Sequence, residues 1–198
     1  MTHLGAVVDR AMGRDDSDVE LMRRIASGDE AAMRTLWSTY GQRLYAFAVH
    51  LTRNPALADE VVQESLLAAW QGAKRYRGDS ALGVWLLGIA YHKGQNALRR
   101  RPTESLDEQA ERLPAADPEP LHQAEVDDRQ RLLRAGLECL SPEHRLALDL
   151  VFYHGLSLAE AAQVCGCPVG TIKSRLNHAK SRLREHLCAQ GLALEDLA

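Results

Sequence analysis

The chain has 198 residues, with 24 Lys+Arg against 27 Asp+Glu, a formal net charge of -3 and 45% hydrophobic residues. These proportions exclude disorder throughout, and the length allows one domain or two small ones but not a large multidomain enzyme. The longest nearly uncharged apolar stretch, 82–91, is about half the ~20 residues that cross a bilayer, which predicts no membrane span. The acidic N-terminus lacks the order of a secretory signal, and the four cysteines form no CxxC pair, so we expect a cytoplasmic protein with free thiols.

The first half of the chain is predicted to be helical, because apolar residues recur at intervals of three and four and no strand alternation occurs. We expect residues 1–17 to be a disordered N-terminal segment. Asn54 followed by Pro55 has the composition of an N-cap and first helical turn, and the periodicity continues to Trp70. A basic helix is predicted to end at Pro102.

The middle of the chain, 103–128, has a charge of -8, whereas 1–102 has +3 and 129–198 has +2. It also contains three prolines and few apolar residues, so it is predicted to be an acidic flexible linker. One interpretation is a solvated spacer. The other is an acidic strand that occupies a basic channel in a partner, which charge alone does not establish.

The second half is predicted to contain a helix-turn-helix. Ser141 with Pro142 begins one helix, and Ser157 with Glu160 has the spacing of a capping box at the start of another. A turn at 165–168 separates that helix from a second one, from about Val169.

The second helix of this motif is amphipathic. One face forms an apolar stripe of Ile172, Leu176, Ala179, Leu183 and Leu187. The opposite face carries Lys173, Ser174, Asn177, His178, Lys180, Ser181 and Arg184. Such polar groups can reach base edges and phosphates in a major groove, which favours DNA recognition. The alternative is a solvated helix of a plain bundle.

Cys165 and Cys167, near His154 and His178, invite comparison with a metal site. The CxC spacing is poor for zinc, and Cys165 falls where the helix should point an apolar residue inward. We therefore predict a buried thiol, and no metal or cofactor.

Three segments carry a family resemblance: ALADEVVQESLLAAW (56–70), YRGDSALGVWLLGIA (76–90) and LSPEHRLALDLVFYHGLSLAEAAQVCGCPVGTIKSRLNHAKSRLREHL (140–187). In order and separation they resemble the signature regions of bacterial sigma factors of the extracytoplasmic-function (ECF) group, within the sigma-70 family. The resemblance covers roughly residues 18–188. It implies a non-enzymatic, two-domain sigma factor without the middle domain of housekeeping sigmas, in which the acidic linker runs through the active-site cleft and RNA exit channel of the polymerase.

The resemblance also implies contacts with core RNA polymerase, through the beta-prime clamp helices and the beta flap. The clamp-binding residues would be Asp59, Glu60, Gln63 and Glu64, whose acidic and amide groups suit a basic coiled coil. The alternative is that the acidic residues only solvate the helix and favour its N-terminal dipole. An anti-sigma factor is a further implied partner.

The minus-ten element and its melting are assigned by the resemblance to a loop and a basic helix. The implied residues are Tyr76, Arg77, Asp79, Ser80, His92, Lys93, Asn96, Arg99 and Arg100. An exposed aromatic at Tyr76 could stack on a flipped base while the loop's polar groups bind base edges and phosphate. Trp85 is more typical of a core residue. The family's frequent Arg-Asn is replaced here by Tyr91-His92, which leaves the minus-ten preference open.

The minus-thirty-five element would be read by the amphipathic helix. The implied residues are Thr171, Lys173, Ser174, Arg175, Asn177, His178 and Lys180, with Arg175 and Lys180 on phosphates. Asn177-His178 departs from the aromatic-Arg pair common in the family.

The sequence thus predicts an all-α chain of two small helical domains, the second a four-helix-type domain. The predicted parts are a disordered segment 1–17, sigma region 2 at 18–102, the linker 103–128, sigma region 4 at 129–188 and a tail at 189–198. Its function would be to bind core polymerase, direct it to promoter DNA and promote melting. The rivals are a stand-alone helix-turn-helix regulator of duplex DNA and a helical module that sequesters another protein.

Overall fold

The structure, a computed structural model, describes residues 16–100 and 131–190, and within these ranges every regular element is helical. The first bundle contains α1 (Asp16–Ala26), α2 (Glu30–Thr52), α3 (Pro55–Gly72), a short 3-10 turn (Ala73–Arg75) and α4 (Leu82–Arg100). The second bundle contains α5 (131–138), α6 (Pro142–Leu148), α7 (Leu158–Cys165) and α8 (Val169–Ala189).

Local capping explains where α2 and α3 begin. The Asp29 carboxylate accepts hydrogen bonds from the backbone of Ala31 and Ala32 at the start of α2. The Asn54 side chain accepts from Leu57 N at 3.1 Å, which confirms the predicted start of α3. α1 begins at Asp16, so the last two residues of the segment predicted to be disordered are helical, and its other residues lie outside the described ranges.

The helix-turn-helix follows the predicted signals closely. Ser157 and Glu160 form a complete capping box at the start of α7. Gly166 ends α7 in the left-handed conformation, φ 61°, which glycine adopts without a Cβ clash. α8 begins at Val169, and Cys165 is buried, as predicted.

A wide helical turn connects α6 to α7 and was not foreseen. Residues Asp149–Tyr153 form a π-helical turn that continues α6, closed by the bond from His154 N to the Asp149 carbonyl at 2.9 Å. Such turns occur often at functional positions because they shift side chains out of the α-helical register. Here the turn directs Asp149 and His154 toward α2.

The two bundles pack against each other. α7 lies against α4, and buried residues of both bundles, such as Leu86 and Val164, belong to one continuous hydrophobic cluster. Gly88 faces the α7 backbone, where an added Cβ would lie 4.0 Å from the Cα of Val164. The predicted linker 103–128 and the end of the predicted tail, 191–198, lie outside the described ranges.

Candidate nucleic-acid and polymerase interface

The α8 helix separates its two faces as its periodicity predicted. Ile172, Leu176, Ala179 and Leu187 are buried, and Leu183 is half-buried. The residues of the opposite face are exposed: Lys173, Ser174, Asn177, His178, Lys180, Ser181 and Arg184. α8 therefore presents a continuous polar and basic surface while its apolar stripe anchors it to the bundle, which is the geometry of a groove-reading helix.

Four predicted residues of α8 have neighbours that limit them. Thr171 and Arg175 are half-buried. The His178 ring stacks on His144 with centroids 5.8 Å apart. The Lys180 ammonium lies 5.3 Å from the centre of the exposed Phe152 ring, a cation–π arrangement. The other three members of the set, Lys173, Ser174 and Asn177, are exposed, and the structure describes no such neighbour for them.

The loop between α3 and α4 is ordered by its aromatic residue. Tyr76 is half-buried, not exposed, because its ring packs on Trp85 at 5.3 Å and its hydroxyl donates to the Ser80 carbonyl at 2.8 Å. Ser80 is also half-buried, whereas Arg77 and Asp79 are exposed. The loop thus presents charged side chains at its surface, with Tyr76 supporting them from beneath.

The basic end of α4 is tied to α3 by an ion pair. Lys93 Nζ lies 3.0 Å from Glu64 Oε2, so a predicted DNA-contacting residue and a predicted polymerase-contacting residue neutralise each other in this structure. Further along the helix, Arg99 donates a hydrogen bond to the Asn96 side chain. His92, Asn96, Arg99 and Arg100 are exposed.

The exposed face of α3 combines predicted polar groups with large apolar ones. Asp59, Glu60 and Gln63 are exposed. Leu67 and Trp70, one and two turns beyond Gln63, are 50% and 55% exposed. These two residues were missed in the sequence because α3 is apolar almost all round near its end, and periodicity alone does not show which apolar side stays uncovered.

A shallow groove adjoins this face and extends it toward α1 and α2. The cavity has a volume of about 490 Å³, and its apolar lining includes Met33, Trp37, Leu66 and Trp70. Trp37 is 51% exposed. Its indole lies flat over Gly41, where any Cβ would approach the ring to 2.7 Å. Exposed aromatic residues beside polar ones are typical of protein–protein contacts.

The cysteines give no sign of a metal centre. Within residues 16–100 and 131–190, no three His, Cys, Asp or Glu side chains are grouped as metal ligands. Burial, and then the neighbouring Cys167, raises the pKa of Cys165 to about 12, so this thiol stays protonated near neutral pH. None of the helices described is long and apolar enough to span a bilayer.

Comparison with known families matches both bundles separately. Residues 36–103 match sigma-70 region 2, and residues 130–183 match sigma-70 region 4. The ECF RNA polymerase sigma factor EcfG of Rhodopseudomonas palustris is 36% identical over 148 residues, which cover 75% of this chain and 81% of that protein. The ECF RNA polymerase sigma-E factor of Escherichia coli K12 is 31% identical over 184 residues, which cover 87% of this chain and 95% of that protein.

Solved structures show the same fold. The complex of the sigma factor RpoE with the anti-sigma factor NepR from Bartonella quintana gives a TM-score of 0.64 at 29% identity, and covers 78% of this chain and 95% of that one. CnrH in complex with the cytosolic domain of CnrY gives a TM-score of 0.63 at 25% identity, and covers 88% of this chain and 99% of that one.

Proposed function

The chain belongs to the extracytoplasmic-function group of the sigma-70 family, and from this membership we propose which of its surfaces bind polymerase and which bind promoter DNA. It is a non-catalytic subunit of RNA polymerase that directs promoter-specific initiation. A stand-alone helix-turn-helix regulator is no longer a competing interpretation. The first bundle matches sigma region 2, and such a regulator would have no use for a region 2 domain.

We assign recognition of the upstream promoter element to the exposed face of α8. Lys173, Ser174 and Asn177 are the residues for base edges, since their side chains are exposed beside the buried stripe that fixes the helix. Arg175 and Lys180 contact phosphates, and Thr171 and His178 complete the set. The segregation of α8 into a buried and a polar face is the observation that carries this assignment.

We assign recognition of the minus-ten element to the α3–α4 loop and the basic end of α4. Arg77 and Asp79 are the exposed groups of the loop, and His92, Asn96, Arg99 and Arg100 continue along the helix. Tyr76 and Ser80 hold the loop, and Tyr76 turns outward only if its bond to Ser80 breaks. Lys93 joins the DNA surface once it leaves Glu64. Melting is driven by binding energy.

For core polymerase, we assign the α3 face to the beta-prime clamp helices. Its residues are Asp59, Glu60, Gln63, Glu64, Leu67 and Trp70, which combine polar groups with about half-exposed apolar ones. The second bundle contacts the beta flap. The structures of RpoE with NepR and of CnrH with CnrY are complexes of similar folds with a bound protein, and they support an anti-sigma factor as a further partner of this chain. Its expected location is the cytoplasm, where polymerase works.

In vitro transcription tests the proposal. Purified core polymerase is supplied with a library of randomised promoters, with and without this protein. We expect protein-dependent transcripts that share a two-element promoter, which would also supply the sequence preference. Absence of transcripts, with core binding intact, would contradict the assignment of the DNA-reading surfaces. Absence of core binding would contradict the assignment of α3.

A further inference from the structure

Two histidines lie side by side at the edge of the exposed face of α8. His144 belongs to α6, where its backbone N donates to the Ser141 side chain at 3.3 Å, and it is half-buried. Its ring stacks on the exposed ring of His178, with centroids 5.8 Å apart and planes 25° apart. We call these two residues the histidine pair. Through it, α6 brings a titratable side chain to the surface that we assigned to the upstream promoter element.

The pair lies on the side of α8 that borders this surface. Thr171, Arg175 and His178 follow one another at intervals of four and three, so they share one side of the helix. Thr171 and Arg175 are half-buried, and α6 packs against α8. A helix in the major groove is flanked by phosphate backbones, so the side next to its base-reading residues meets phosphate. Arg175 and His178 therefore face one strand of the duplex, with α6 beside it.

The fixed charges around the pair are nearly balanced. Hydrogen bonds from its own backbone and from the Ser141 side chain lower the pKa of Glu143 against the effect of burial, so this carboxylate is ionised near neutral pH. The charges of Arg175 and His144 also lower that pKa, and Arg175 offsets the negative charge. The other charged or titratable groups near the pair in space or in sequence are Tyr91 of α4, Arg145 of α6, and Lys180 and Arg182 of α8. The imidazoles thus decide how positive this edge becomes.

Protonation would make the pair a site for an anion. An imidazole gains a positive charge as the pH falls from about 8 to 5, and both of its nitrogens then donate hydrogen bonds. Two positive rings at this separation repel each other, so an anion that contacts both favours their protonated forms. A phosphate of the DNA backbone is such an anion, and it accepts strong hydrogen bonds from charged donors. Binding of DNA is then coupled to the uptake of a proton.

We propose that the histidine pair is a proton-dependent phosphate-binding site, through which α6 as well as α8 holds the DNA backbone beside the upstream promoter element. This inference rests on the proposed function of α8 and adds His144 to the residues that bind DNA. Because a phosphate contact carries no sequence information, the pair contributes affinity and leaves base preference to Lys173, Ser174 and Asn177. Promoter binding tightens as the pH falls.

The test measures DNA affinity at two pH values. Holoenzyme, assembled from core polymerase and the full chain, is titrated into a labelled promoter duplex from the randomised library at pH 6 and pH 8, and binding is followed by anisotropy. His144→Gln and His178→Gln retain a hydrogen-bonding side chain that cannot gain charge. The matched control is His186→Gln, a half-buried histidine about two turns further along α8, whose Nδ1 lies 3.4 Å from Cys139 Sγ. Circular dichroism verifies that each variant is folded.

We expect the wild type and the control to bind about tenfold or more tightly at pH 6 than at pH 8, since a hydrogen bond to a charged group is gained. Each variant should lose most of this difference, and the double variant should lose little more, because both rings hold the same phosphate. At pH 6, the slope of log affinity against log salt should be about 0.9 steeper for the wild type than for either variant, the value for one neutralised phosphate. At pH 8 the slopes should agree.

The phosphate site is refuted if His144→Gln keeps the pH dependence and the salt slope of the wild type, or if His186→Gln loses them as well. An effect of His178→Gln alone would confine the contact to α8 and would also refute the pair. If the holoenzyme selects no promoter, the proposed function fails instead. The same comparison of the full chain and its variants on a duplex of mixed sequence still decides about the pair, because a phosphate contact does not depend on sequence.

Discussion

The substitution Trp70→Ala tests whether the apolar part of the α3 face binds core polymerase. A tryptophan can bury up to about 250 Å² of surface, and Trp70 is 55% exposed, so about 140 Å² remains for a partner to cover. At about 25 cal/mol per Å², complete coverage contributes at most roughly 3.5 kcal/mol, or about 300-fold in affinity. Because the ring is already exposed, we expect the free energy of unfolding to change little.

The assay is a titration of fluorescently labelled protein with core polymerase, followed by anisotropy. Leu98→Ala is the matched control, an exposed apolar residue of α4 on the surface assigned to DNA and not to polymerase. The double substitution Gln63→Ala with Leu67→Ala extends the test along α3. This pair is cleaner than one with Glu64, because removal of Glu64 also releases Lys93 from its ion pair. The double substitution Gln63→Ala with Glu64→Ala should nevertheless weaken association as well.

The reasoning fails if Trp70→Ala changes affinity by less than about fivefold, the ~1 kcal/mol that marks a contributing interface residue. It also fails if Leu98→Ala weakens binding as much as Trp70→Ala does. Either result would mean that polymerase leaves this part of α3 uncovered.

Four other predictions concern DNA reading, stability and the packing of the two bundles. Lys173→Ala or Asn177→Ala should alter the preferred upstream element, at ~1–3 kcal/mol per lost base contact, in a randomised-promoter selection; an unchanged preference would remove that residue from the reading face. Ser157→Ala should cost about 1 kcal/mol in thermal unfolding, since it breaks the capping box; an unaltered midpoint would contradict this. Gly88→Leu should wedge α4 from α7 and enlarge the radius of gyration. Rising pH should weaken the packing of the two bundles, because the hydrogen bond to Asp149 raises the pKa of His50 and that stabilisation is lost as pH rises through the raised pKa; scattering between pH 6 and 9 measures this.

Signals within a few residues of each other were the ones that sequence reasoning interpreted correctly. The caps at Asn54 and Ser157 and the turn at Gly166 act within one or two helical turns, and their free energies depend on neighbouring backbone groups. The stripe from Ile172 to Leu187 was recognised because its residues recur at intervals of three and four, although its burial depends on the rest of the fold. Tyr76 shows the limit, because its half-burial depends on Trp85, which belongs to the next helix.

By itself, the sequence determined the all-helical class, the starts of several helices, the helix-turn-helix and the family. Only the tertiary structure showed that α7 packs on α4 and that the side chain of Trp70 stays exposed. It also showed that Asp149 contacts His50, a residue 99 positions away in the sequence. The physical reason is that periodicity shows which side of a helix is apolar but not which element covers it. A partner from a distant part of the chain is selected by shape and charge in three dimensions, as the contact of the buried Asp149 carboxylate with His50 shows.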